Sequence, residues 1–209
     1  MKKNLSIIDN CQIKKIKIED VSQVVEIHKV AFKNFFLTSL GDNFLKAYYA
    51  SCLRDKTTIA LGVYEKDDKL IGFASGTYLA SGYHKRVFLV GFYSFVRSLF
   101  QLILFQPRLL FRLIRNISKQ SKVEDSVDYA ELLSIAIDPE FTGLGVGKTL
   151  LTEFENQVKG YKIGSIALTT DYYNNESVIK FYKSCNYRVY YDFVAYPKRR
   201  MYKLTKTLF

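Results

Sequence analysis

The residues best placed to do chemistry in this chain are Gly143, Gly145 and Gly147, which alternate within the stretch ELLSIAIDPEFTGLGVGKTLL at 131–151. Ser134 to Ile137 is short, apolar and β-branched, Asp138-Pro139 breaks it, and Leu150, Leu151, Phe154 and Val158 then recur at helical spacing. The glycines therefore open a helix directly after a strand. Backbone without side chains lets a ligand approach closely, and unpaired N–H groups at the positive end of the helix dipole can hold a pyrophosphate.

Three kinds of protein carry such a loop, and spacing separates them. A P-loop requires G-x-x-x-x-G-K-[ST], and Thr142 to Thr149 (TGLGVGKT) fits except that Thr142 occupies the first glycine position. P-loop folds also need several βα units after that turn, and only residues 150–209 follow it here. A dinucleotide-binding G-x-G-x-x-G needs a glycine at 148 or 150, where Lys148 and Leu150 stand.

The stretch resembles the signature of the GNAT superfamily of N-acetyltransferases, Q/R-x-x-G-x-G/A after a strand that ends in an apolar-D-P step. Here it reads Thr142-Gly143-Leu144-Gly145-Val146-Gly147, with Thr142 in place of Gln or Arg. Downstream, NESVIKFYKSCNY at 175–187 is similar to the family's N-x-x-A-x-x-F-Y-x-x-x-G-F, with Val178 for Ala and Asn186 for Gly. The resemblance covers roughly residues 12 to 80 and 128 to 209. It implies acetyl-CoA as co-substrate, with no metal.

The same resemblance implies roles for individual residues. The peptide-like pantetheine arm would pair with strand backbone at Ile135, Ala136 and Ile137, with Ile135 and Ile137 foremost. The pyrophosphate would take N–H groups from Gly143, Gly145, Val146, Gly147 and Lys148, with Thr142 and Thr149 alongside. Asn175 would bond the pantetheine arm, although asparagine is also an ordinary helix cap. Glu131 is the candidate general base and Tyr182 the candidate acid that protonates the departing thiolate. The competing readings are an exposed strand-end glutamate and a core tyrosine beside Phe181.

The elements that must position these groups follow from periodicity. Ile13 to Ile18 alternates as a strand, Asp20 can cap a helix running to about Phe32, and Leu40 to Arg54 is a second amphipathic helix. Thr57 to Tyr64 and Leu70 to Leu79 form two strands joined by the charged turn 65–69. Ser165 to Thr170 is a strand, Asn175 to Ser184 a helix, and Tyr187 to Leu208 a β-rich tail. The fold class is α/β (α+β): a mixed, largely antiparallel central sheet flanked by helices, as one domain over 1–209.

Nothing in that order accounts for residues 82–126, a helical insert between the third and fourth strands. From Lys69 through Val123 there is no Asp or Glu, while Lys85, Arg86, Arg97, Arg108, Arg112, Arg115, Lys119 and Lys122 are cationic. Val87 to Phe105 carries one charge, Arg97, and Gln106-Pro107 marks a break before a second helix. There Arg108, Arg112, Arg115 and Lys119 share one face, with Leu109, Leu110, Leu113, Ile114 and Ile117 on another. A basic amphipathic pair rich in Phe and Leu suits the anionic inner surface of a membrane. A lid or homodimer contact over the acceptor cleft is the alternative. Nucleic acid is disfavoured, because the aromatics form no stacking platform.

The chain is 48% hydrophobic with a net charge of +11, and Cys11, Cys52 and Cys185 lack metal or disulfide spacing. With no apolar run of signal length in the first ten residues, the expectation is a cytoplasmic, peripheral enzyme. In GNAT enzymes the first two helices border the acceptor, so Phe35, Phe36, Leu37 and Thr38 are the substrate candidates. The small-molecule amine expected is an amino sugar of surface polysaccharide synthesis, with a protein amine, or a non-catalytic binding module, as alternatives.

Overall fold

A computed structural model describes residues 11–105, 128–195 and 198–209. Seven strands form one sheet: β1 Gln12–Lys15, β2 Thr58–Tyr64, β3 Leu70–Thr77, β4 Ala130–Ile137, β5 Ser165–Asp171, β6 Arg188–Ala195 and β7 Arg199–Thr207. Their order is β1-β2-β3-β4-β5-β7-β6, and every pairing is antiparallel except β4 with β5. The expected mixed, largely antiparallel sheet is thus present.

Seven described helices flank it: α1 Val21–Ala31, α2 Phe36–Ser39, α3 Asp42–Arg54, α4 Tyr83–Val90, α5 Phe92–Phe105, α6 Val146–Gly160 and α7 Glu176–Ser184. Val24 and Val25 of α1 and Leu45 and Tyr49 of α3 bury against Phe73 on one face. Leu150, Phe154 and Val158 of α6 and Tyr182 of α7 pack against Ile71, Leu132 and Ile166 on the other. β3 reads as a continuous buried run because both its faces are covered.

Three differences from the sequence reading have local causes. α3 starts at Asp42 rather than Leu40, since Gly41 at φ +85° turns the chain into the helix. The apolar run 87–105 divides at Gly91, where an added Cβ would overlap Ser51 Oγ and lie 2.7 Å from Phe95. Glycine there lets the α4–α5 corner sit against α3. β4 begins at Ala130, four residues earlier than Ser134, and is interrupted by a bulge. Ser75 opposes Ser134 but Gly76 opposes Leu132, which leaves Leu133 as the extra residue. The amphipathic helix expected over 108–119 lies outside the described residues.

Candidate active site

β4 and β5 pair only from Ala130 to Leu132 and then diverge. The gap is a cleft of about 750 Å³ lined by Leu132 to Ile137 on one wall and Leu168 to Asp171 on the other. Register decides which backbone groups face it. Asp138 N donates to Ile71 O at 2.8 Å, so residues 138, 136 and 134 direct their amide groups to β3. Amide direction alternates along a strand, so the N–H and C=O of Ile135 and Ile137 point into the cleft. They offer an unused strand edge to an extended amide ligand.

At the mouth of this edge α6 begins. Gly145 is its N-cap at φ +88°, Gly143 stands at φ +81°, and no side chain caps the helix. Among the described residues, no hydrogen bond occupies the N–H of Gly143, Gly145, Val146 or Gly147. Lys148 N and Thr149 N both donate to Gly145 O, at 3.0 and 3.1 Å. The open donor set is therefore narrower than the sequence suggested: Lys148 contributes its side chain at the cleft, while Thr149 lies beside Cys11 and Val63 away from it. Thr142 lines the mouth, but its hydroxyl is turned to Asp138 O at 3.4 Å.

α7 supplies the floor. Asn175 lines the cleft as the N-cap residue of α7 but makes no side-chain capping bond; its Nδ2 donates to Thr170 Oγ1 at 2.6 Å and to Asp171 O at 2.8 Å. That anchors β5 to α7 and leaves the amide oxygen for a ligand. Tyr182 is 6% exposed, packs edge-on to Phe181 and Tyr187, and still lines the cleft. Burial, with Cys185 adding to it, pushes its phenol well above the ordinary value, so the hydroxyl stays protonated and able to donate. Asn186, standing where the family motif has glycine, adopts φ +68° just past the end of α7, and Tyr187 N donates to Tyr182 O. Asparagine tolerates this helix-ending conformation, so the motif's geometry survives the substitution.

Glu131 is not among the residues lining the cleft. It pairs with Thr77 and Ala167, one position before the lining begins at Leu132. The bulge at Leu133 puts it on the same sheet face as Ser134, the face covered by α1 and α3. Of the acceptor candidates, Phe35 lines the cleft, together with Phe32. Phe36 and Leu37 pack inward against Leu40, Phe44 and Tyr83, and Thr38 Oγ1 donates to Phe32 O at 2.6 Å to hold the turn.

Sequence reasoning missed the opposite wall. Arg199 pairs with Asp171 through Nε at 2.5 Å and Nη2 at 2.6 Å, and its guanidinium lies 4.4 Å from the Phe35 ring centre. Planar bidentate pairing plus ring stacking bridges β7, β5 and the α1–α2 turn across one end of the cleft. Arg199 lay unmarked in the β-rich tail, and only the β5–β7 register brings it to Asp171.

Behind the acceptor wall is a buried polar chain. His28, 2% exposed, shares a 2.7 Å hydrogen bond between Nδ1 and Tyr49 Oη, and Tyr49 is hydrogen-bonded to Ser134. Its Nε2 has no partner among the described residues, and burial lowers its pKa to about 4 from 6.5. The unfolded chain therefore takes up a proton that the folded chain refuses. Stability is unaffected above pH 6.5 and falls between 6.5 and 4, by up to about 3 kcal/mol. Denaturant midpoints of His28→Gln should lack this acid-side loss; a parallel pH dependence in wild type and variant would contradict it.

Comparisons with known proteins agree with this geometry. A model of the acetyltransferase (GNAT) family matches residues 103–187. The fold of this chain is GNAT-like. Three solved GNAT-like structures illustrate the fold. An N-acetyltransferase from Staphylococcus aureus Mu50 is similar at 15% identity and TM-score 0.61, over 96% of this chain and 99% of that one. The ribosomal-protein-S18-alanine N-acetyltransferase from Escherichia coli is similar at 12% and 0.59, over 95% and 94%. The PaiA N-acetyltransferase from Thermoplasma acidophilum, in complex with coenzyme A, is similar at 18% and 0.56, over 94% and 98%. No curated protein matches by sequence. Among the described residues, no group of three or more His, Cys, Asp or Glu could hold a metal ion.

Proposed function

We propose that the protein is an acetyl-CoA-dependent N-acetyltransferase that passes the acetyl group directly to a primary amine within a ternary complex. The observation that carries this reading is the meeting, on one cleft, of the unused β4 edge at Ile135 and Ile137 with the open N–H groups of Gly143, Gly145 and Gly147 at the start of α6. A pyrophosphate at Gly143 to Gly147 and an extended amide arm along β4 fit these two features, and the thioester would then lie near Tyr182, which lines the same cleft.

Nitrogen attacks the thioester carbonyl, the C–S bond breaks, and the amine loses a proton while the thiolate gains one. Tyr182, kept protonated by burial, is assigned as the proton donor to sulfur. Glu131, set on the acceptor face one residue below the cleft lining, is assigned as proton acceptor through water. The acceptor enters past Phe32, Phe35 and the Arg199–Asp171 pair. An amino sugar remains the proposed acceptor, and a protein amino terminus the second.

Turnover is measured as thiol release from acetyl-CoA with a panel of nucleotide-linked amino sugars and peptides bearing free amino termini. Tyr182→Phe should lower kcat about a hundredfold, the lower end for a lost general acid, with acetyl-CoA affinity unchanged. Full activity in the variant would remove Tyr182 from the mechanism. Turnover with peptides alone would reassign the acceptor, and thiol release with neither class would leave the non-catalytic reading.

A further inference from the structure

The α4–α5 pair presents an outward apolar row that the fold does not use. Leu89 is 61% exposed, Val90 46%, Phe92 45%, Tyr93 88% and Val96 49%. Five large apolar side chains within eight residues are unlike the scattered exposed apolar residues elsewhere on the chain. The row is not a misplaced core face, because the opposite side of the same helices is already committed. Tyr83, Val87 and Phe95 pack with Phe44, Ala47 and Cys52. Arg86 fixes the start of α4, donating to Asp55 Oδ2 at 3.3 Å, Thr57 Oγ1 at 3.0 Å and Leu79 O at 2.9 Å. Gly91 is buried at the corner, and Ser98 Oγ donates to Asn43 O at 3.2 Å. The helices cannot roll to hide the row.

Charge selects the occupant. Lys85 and Arg97, both exposed, flank the row, and no carboxylate occurs in the chain from Lys69 through Val123. A two-fold contact with a second copy would set like charges against each other, whereas an anionic lipid surface complements them. No described helix is long and apolar enough to cross a membrane, so insertion would be lateral, with the apolar row among the headgroups. We infer that the α4–α5 edge, centred on Phe92, Tyr93 and Val96, docks this protein on an anionic membrane surface.

Docking would act on the site's surroundings, since Phe36 and Leu37 of the acceptor-side segment and Leu133 of the cleft wall pack against the same cluster that holds Tyr83, Val87 and Phe95 of these helices. This inference goes beyond acetyl transfer and stands or falls separately from it. The full chain is floated with vesicles of phosphatidylcholine alone or mixed with phosphatidylserine, and acetyl-CoA binding is measured on the same samples. Wild type should float with the anionic vesicles only, and high salt should release it. Arg97→Gln should lower partitioning about fivefold, as expected for one cation at a charged surface. Tyr93→Ser combined with Val96→Ser should abolish it while leaving the melting temperature and acetyl-CoA binding intact. Failure to float, equal flotation with neutral vesicles, or a dimer that the double variant dissolves would each overturn the inference. The last would assign the row to a second copy.

Discussion

Gly145→Asp removes most of the stabilisation that acetyl-CoA gives the protein, while the ligand-free variant melts close to wild type. Gly145 sits at φ +88° as the N-cap of α6, and its N–H is one of four left open there. Aspartate is among the residues that tolerate this left-handed conformation, at a cost of about 1 kcal/mol. Its carboxylate, however, occupies the place a pyrophosphate would take and repels it. Loss of about two charge-assisted hydrogen bonds, roughly 3 kcal/mol, lowers affinity about a hundredfold. Wild type at a hundred times its dissociation constant gains about 2.7 kcal/mol of stability from ligand. A variant that kept this gain would move the anion site elsewhere. Gly147→Ala is the control for backbone damage: its Cβ would lie 3.6 Å from Ile137 and 3.9 Å from Phe181, which is ordinary contact.

Gly76→Ala has the largest expected effect on folding. The added Cβ would overlap the carbonyl oxygen of Glu131 and meet Phe154 Cζ at 2.6 Å and Leu132 Cα at 3.0 Å. Two of these partners are backbone of β4 at the bulge, which cannot rotate away, and Phe154 is fully buried. Overpacking of this kind costs about 3 kcal/mol, read as a lowered denaturant midpoint with an unchanged slope. Because the bulge sets which face Glu131 and Ser134 share, any folded remainder should also lose the register of the cleft wall. A variant as stable as wild type would show that β3 and β4 do not approach as closely as described.

The glycine loop could be read from residue types, because φ-permissive residues after a strand have few other uses, whereas the edge positions Ile135 and Ile137 were implied by the family resemblance. The bulge could not. Leu132-Leu133-Ser134 contains neither glycine nor proline, and its cause lies across the sheet at Gly76. Without it, simple alternation sets Glu131 and Ser134 on opposite faces. A single apolar run over 87–105 was expected from composition, and its division at Gly91 into two helices depends on the approach of Ser51 from α3. Phe35 rather than Phe36 or Leu37 faces the cleft because the chain turns between Phe32 and Phe35, held by Thr38, and a one-residue difference on a turn leaves no periodic trace. Arg199 required two non-local pairings to be recognised. Local patterns thus pointed to the proposed cofactor half of the site, and long-range contacts shape the proposed acceptor half.

The most direct test is residue-resolved amide hydrogen exchange with and without acetyl-CoA. Protection should appear at Ile135 and Ile137, whose N–H groups face the cleft, and at Gly143, Gly145, Val146 and Gly147. Ser134 and Ala136, already bonded to β3, should be unchanged. Unaltered exchange at Ile135 and Ile137 in a saturated sample would contradict binding of acetyl-CoA along the open edge of β4, and with it the proposed acetyl transfer in this cleft.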